Sequence, residues 1–188
     1  MKDMICKKLK NGIKVYFYKN KNMKRTVVSY NVNYGNLGYY DNFYYKNKFY
    51  SMPPAVAHFL EHTLIEESKY GNMLHRFKDK NYEVNGLTGL YLTSYYFVGI
   101  NEIKESIKML INMIDDPVFN EESIEKVKNA IIEEVTKNDD IKYRIAHNLN
   151  RRNTYKSFEA ISESLNTLGT KETTNSITYD IARTCYDA

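Results

Sequence analysis

No tryptophan occurs among the 188 residues, and there are only two cysteines, three prolines and four histidines. Eighteen tyrosines carry most of the aromatic content, an imbalance that reads as compositional drift rather than a functional signature. Cys6 and Cys185 stand near opposite ends in no metal-binding spacing. That excludes a thiolate metal cluster and gives a disulfide no support, so two reduced thiols of a cytoplasmic protein are expected. No run of about 18 apolar residues exists, so no membrane-spanning helix is expected. The opening "MKDMICKKLKNG" lacks the apolar stretch of a signal peptide. Charge is only mildly unbalanced, at +4. Its densest basic cluster, "YKNKNMKR" (18–25), reads as a solvated loop, and no aromatic-basic motif accompanies it. Neither nucleic acid nor membrane is therefore an expected partner.

With 43% hydrophobic and 27% charged residues, the chain reads as one globular domain over 1–188. An Asn-Gly turn at 11–12 precedes alternating Ile13, Val15 and Phe17, a pattern of a half-buried strand. The β-branched run 25–35 is its expected antiparallel partner. Residues 36–52 have no clean period and read as a long loop. Pro53 and Pro54 should lie in the first turn of a helix over about 54–67. A short helix is expected over 71–81 and a strand pair over 82–100, its second member near 91–99. Ile103, Ile107, Leu110, Ile111 and Ile114 recur at helical spacing over 101–115, with Asn101 as the expected cap. The strongest helix is 120–139, capped by Asn120, with Ile124, Val127, Ile131, Ile132 and Val135 as its stripe. Further helices are expected over 141–150 and from Thr178, with a mixed segment between. Strand pairs alternating with helices predict an α+β fold, an antiparallel or mixed sheet with helices packed on one face.

The stretch "AVAHFLEHTLIEE" holds His58, Glu61 and His62 in the order H-x-x-E-H. On a helix, His58 and His62 lie on one face a turn apart, and Glu61 borders that face. Two imidazoles at this spacing suit one Zn²⁺, and the carboxylate between them can act on water without being a ligand. Two unpaired imidazoles would be costly in so apolar a context, which favours a metal site. A catalytic zinc site wants three protein ligands. His75 and His147 are poorly placed, whereas Glu133 and Glu134 lie deep in the strong helix, and either makes a His₂Glu set.

H-x-x-E-H is the inverted zincin motif, and the chain resembles the insulinase–pitrilysin family of zinc metallopeptidases, which includes the mitochondrial processing peptidase. Bacterial insulinase-like members look closest. "LKNGIKVYFYKN" is similar to the family's opening strand, "PPAVAHFLEH" to its metal helix and "VNGLTGLYLTSYYF" to its strand pair. "IIEEVTKNDDIKYR" and "LGTKETTNSIT" resemble two later family segments. The resemblance implies zinc ligands His58, His62 and Glu134, with Glu133 the rival for third place, and Glu61 as the general base of peptide hydrolysis. It implies a peptide substrate bound as an added strand beside Asn85, Gly86 and Thr88. It further implies that the chain stops before a second homologous domain, on the same or a partner chain. The alternative is a non-catalytic or half-site subunit. Three departures stand out. Val127 replaces a family glutamate, and Glu125 is a poor substitute. "YEV" replaces the Gly pair before Asn85. Gly86 replaces the alanine after it.

Overall fold

The computed structural model describes residues 4–36, 42–139, 145–146, 149–150, 153–154 and 166–188. The expected helix over 141–150 and much of the mixed segment after it lie largely outside these. The elements are strands β1 (Met4–Lys8), β2 (Lys14–Tyr18), β3 (Thr26–Val32), β4 (Asn42–Tyr45) and β5 (Lys48–Ser51), then helices α1 (Val56–Glu66) and α2 (Met73–Lys78). Strands β6 (Glu83–Thr88) and β7 (Thr93–Gly99) follow, then helices α3 (Ile103–Asp115), α4 (Glu121–Asp139), α5 (Lys171–Asn175) and α6 (Tyr179–Asp187). The class is α+β, and among the described residues every strand pairing is antiparallel.

The central sheet has the order β3-β7-β6. Residues alternate along β7, so Tyr95 and Phe97 turn to the core while Ser94, Tyr96 and Val98 are half-buried. Phe97 stacks on Tyr82 at 5.5 Å between centroids and meets Phe77 of α2 at 5.4 Å. Tyr82 lies over Gly99, where a β-carbon would strike its ring. Leu64 and Ile65 of α1 and Leu110, Met113 and Ile114 of α3 complete this cluster. A second cluster joins Val56, Phe59 and Leu60 of α1 to Ile124, Val127, Ile131 and Val135 of α4 and to Ala182 and Cys185 of α6. Helix α1 serves both clusters, and nine of its eleven residues are buried. Buried apolar side chains of this size each contribute about 1.5–3 kcal/mol. The helix that carries the H-x-x-E-H stretch is therefore among the most firmly held elements.

Several local expectations are corrected. Strand β2 pairs with β1 and not with β3, and both strands of this hairpin are exposed throughout rather than half-buried. Gly12, at φ +90°, supplies the turn between them. Strand β3 pairs with β7, whose Tyr95 and Phe97 face its Tyr30 and Val28 across the ladder. The expected loop over 36–52 contains the β4–β5 hairpin, turned by Lys46 and Asn47, both at positive φ.

Pro53 and Pro54 lie before α1 rather than in its first turn, because the helix is capped by Ala55 in the left-handed region (φ 75°). The Asn36 side chain holds that conformation by accepting the Ala55 N–H at 2.7 Å. Asn101 does not cap α3. Glu102 holds that position, also left-handed and without a side-chain cap bond. Ile111 is exposed, and Met113 takes the core position instead. Asn120 does cap α4. Its Oδ1 accepts the Ser123 N–H at 2.8 Å, and Ser123 Oγ accepts the Asn120 N–H at 3.0 Å. Cys6 is exposed and Cys185 buried, and no disulfide joins them.

Candidate metal centre

Helix α1 runs against α4, and the contact brings the two histidines to one carboxylate. His58 Nε2 lies 3.6 Å from Glu134 Oε2, and His62 Nε2 lies 3.4 Å from the same oxygen. The imidazoles meet edge to face with centroids 4.8 Å apart. All three donor atoms lie within 4.8 Å of one another. Ligands about 2.0–2.1 Å from a tetrahedral zinc stand about 3.3–3.4 Å apart. The two nitrogen–oxygen separations are close to that spacing, and the three atoms converge tightly enough to form a candidate metal site. Among the described residues this is the sole group of three or more His, Cys, Asp or Glu side chains with that closeness.

Helix phase explains the choice between the two glutamates. Glu134 follows Ile131 by three residues and Val127 by seven, so it continues the buried stripe of α4 toward α1. Glu133 points outward and pairs with Lys137 at 3.4 Å. Val127 is fully buried in the core, where it packs and offers no ligand atom. Glu125 is exposed and bonded to Lys128. His75 sits on the exposed side of α2, and His147 lies outside the described residues.

Without metal the two imidazoles titrate in opposite directions. His58 is held down to about 4 by burial first and by the nearby His62 charge second, with Glu134 opposing. His62 is pushed up to about 9: burial opposes its charge, but hydrogen bonds to Glu134 and Glu66 prevail.

Glu61 lies one step round the helix and is buried. Its Oε2 accepts a 2.5 Å hydrogen bond from the Thr88 hydroxyl of β6. Its Oε1, Cγ and Cδ fill the space that a β-carbon on residue 86 would occupy. Burial raises its carboxyl above the ordinary carboxylate range, against the opposing Thr88 bond. A carboxylate raised by burial is a stronger base than a solvated one, which suits a proton-transfer role beside a prospective metal site.

Strand β6 is an edge of the central sheet, bonded to β7 alone among the described strands. Asn85 is exposed on it, and its Oδ1 accepts the Gly86 N–H at 3.0 Å. Thr88 is buried, with its hydroxyl directed at Glu61. Two features escaped the sequence reading: Thr88 as the partner of Glu61, and Glu66, whose Oε1 lies 2.7 Å from His62 Nδ1. Glu66 had a signal, a carboxylate four residues after a histidine on one helix. The Thr88 contact joins two elements distant in sequence and had none.

The model of the insulinase family, peptidase family M16, matches residues 53–177. The chain is 27% identical over 188 residues to the uncharacterized zinc protease YmfH of Bacillus subtilis (strain 168), covering 96% of this chain and 41% of that protein. An M16-like peptidase from Alicyclobacillus acidocaldarius superposes with a TM-score of 0.87 at 25% identity, over 98% of this chain and 42% of the other. The inactive domain of an M16 peptidase from Pseudomonas fluorescens has the same fold, with a TM-score of 0.76 at 12% identity over 98% of this chain and 43% of that one. The chain thus spans about two fifths of the length of these relatives. On the family match, which takes in both histidines and both candidate glutamates, this chain belongs to the insulinase family of peptidases, family M16.

Proposed function

We propose that this chain is the zinc-binding part of a peptidase that hydrolyses peptide bonds, with His58, His62 and Glu134 as ligands and Glu61 as general base. The observation that carries the reading is the convergence of the three donor atoms within 4.8 Å, with the buried Glu61 held beside them by Thr88. A bound zinc ion supplies Lewis acidity to the reaction. The protein's own part is proton handling and substrate alignment. With Oε2 engaged by Thr88, Glu61 receives the proton of the attacking water on Oε1 and delivers it to the departing amine. The peptide lies along the outer edge of β6 at Asn85 and Gly86, held by backbone hydrogen bonds that tolerate varied side chains.

The span of about two fifths of its relatives supports a second component, a homologous domain or partner subunit that completes the substrate chamber. Oriented donors of the kind such a component contributes are worth about 10²–10³ in rate for one group. A fluorogenic peptide assay tests this on the zinc-loaded 188-residue chain beside a longer chain carrying the remainder. Cleavage by the longer chain alone is the expected result. Equal cleavage by both overturns the need for a second component, and cleavage by neither overturns the peptidase reading.

A second reading is a non-catalytic subunit that binds an active partner. The observation favouring it is Val127, buried in the core where the resemblance implies a glutamate. Against it stands Glu61, a costly buried carboxylate that a retired site has no use for.

A further inference from the structure

Each imidazole has a second nitrogen, and the two rings of this centre treat it differently. His62 Nδ1 lies 2.7 Å from Glu66 Oε1, on the last turn of the same helix. His58 Nδ1 is buried and has no hydrogen-bond partner among the described residues. The difference follows packing. The His58 side chain is 8% exposed and is fixed by the core around it, whereas that of His62 is 21% exposed and has a freer side. A ring not fixed by packing needs another restraint if its Nε2 is to stay directed at Glu134.

We propose that Glu66 is a positioning residue for the metal centre. It accepts a hydrogen bond from His62 Nδ1–H, which fixes the ring orientation and leaves Nε2 as the ligand atom. A carboxylate behind a ligating imidazole sets the tautomer and raises the basicity of the other nitrogen, and removing such a partner typically lowers metal affinity by about 10–100-fold. Glu66 is suited to this by its place: it lies one turn after His62 on the same helix, with Oε1 2.7 Å from Nδ1. Lys126 on α4 is bonded to Glu67, so Glu66 keeps Oε1 for the imidazole. The inference rests on the zinc reading of His58, His62 and Glu134, and its test separates the two.

Zinc affinity is measured by chelator competition on the wild-type chain, E66L and E66Q. In parallel, ¹⁵N-histidine NMR of the zinc-loaded wild type reads the exchange of the His62 Nδ1–H proton with water. The expected result is a 10–100-fold weaker affinity in E66L, a smaller loss in E66Q, whose amide oxygen can accept the same bond, and a slowly exchanging Nδ1–H. A wild type that binds no zinc overturns the zinc reading itself. A wild type that binds zinc beside an E66L of equal affinity overturns the role of Glu66 alone, as does an E66Q as weak as E66L. Should E66L not fold, a His62 Nδ1–H in free exchange in the zinc-loaded wild type still overturns the proposal.

Discussion

The carboxylate of Glu61 occupies the place where a side chain on residue 86 would begin. An ideal β-carbon at Gly86 falls 2.5 Å from Glu61 Cγ and 2.6 Å from its Cδ, far inside van der Waals contact. Gly86→Ala must therefore move Glu61 off Thr88 or push β6 outward. Overpacking of this kind costs about 1–3 kcal/mol. Urea unfolding of the variant should show a stability lower by that amount, read as a lowered midpoint at unchanged slope. An unaltered midpoint would mean that Glu61 swings away freely and is not held by the strand.

Glu61 itself should be separable from metal binding. Glu61→Gln is expected to retain zinc while reducing peptide cleavage by the longer enzyme on the order of 10²-fold or more. Loss of zinc in that variant would instead move Glu61 into the ligand set.

The metal-free centre carries a pH signature. The folded-state pKa of His62, about 9, lies above the ordinary value of 6.5. Its protonation thus stabilises the fold fully below about pH 6.5, and this contribution is lost as the pH rises through about 9. Unfolding with a zinc chelator present should show wild-type stability falling across that interval. The same curve for His62→Gln should lack the fall. Parallel curves would show that Glu66 and Glu134 do not hold the imidazolium.

Much of the centre was legible because it is local. His58, Glu61 and His62 are fixed by one helix and need only the 3.6-residue period to be placed together. Glu134 was legible as one of a pair, and helix phase against Val127 and Ile131 separates it from Glu133. What escaped the sequence is long-range. The pairing of β3 with β7 joins segments distant in sequence, from Thr26 with Gly99 to Val32 with Thr93, and β-branched composition does not name a partner. The start of α1 was displaced because Asn36, nineteen positions upstream, holds Ala55 in a backbone region that proline spacing does not reveal. The β1–β2 hairpin was missed at its first strand, although the Asn-Gly turn pointed to a partner on its upstream side.

A core substitution tests whether α1 is as firmly held as its burial indicates. Phe59 is fully buried between α1 and the α4 stripe. Phe59→Ala should cost about 3–5 kcal/mol. It should also weaken zinc binding, since it loosens the helix that carries both histidines. Unfolding monitored with and without zinc reads both effects, and an unchanged stability would contradict the packing described for this helix.

The most direct test of the account is metal analysis of the purified chain beside His58→Ala. One zinc per wild-type chain is expected, with little or none retained by the variant under the same chelator wash. A wild-type chain that takes up no zinc, or equal zinc in both proteins, would contradict the assignment of His58, His62 and Glu134 as the metal site.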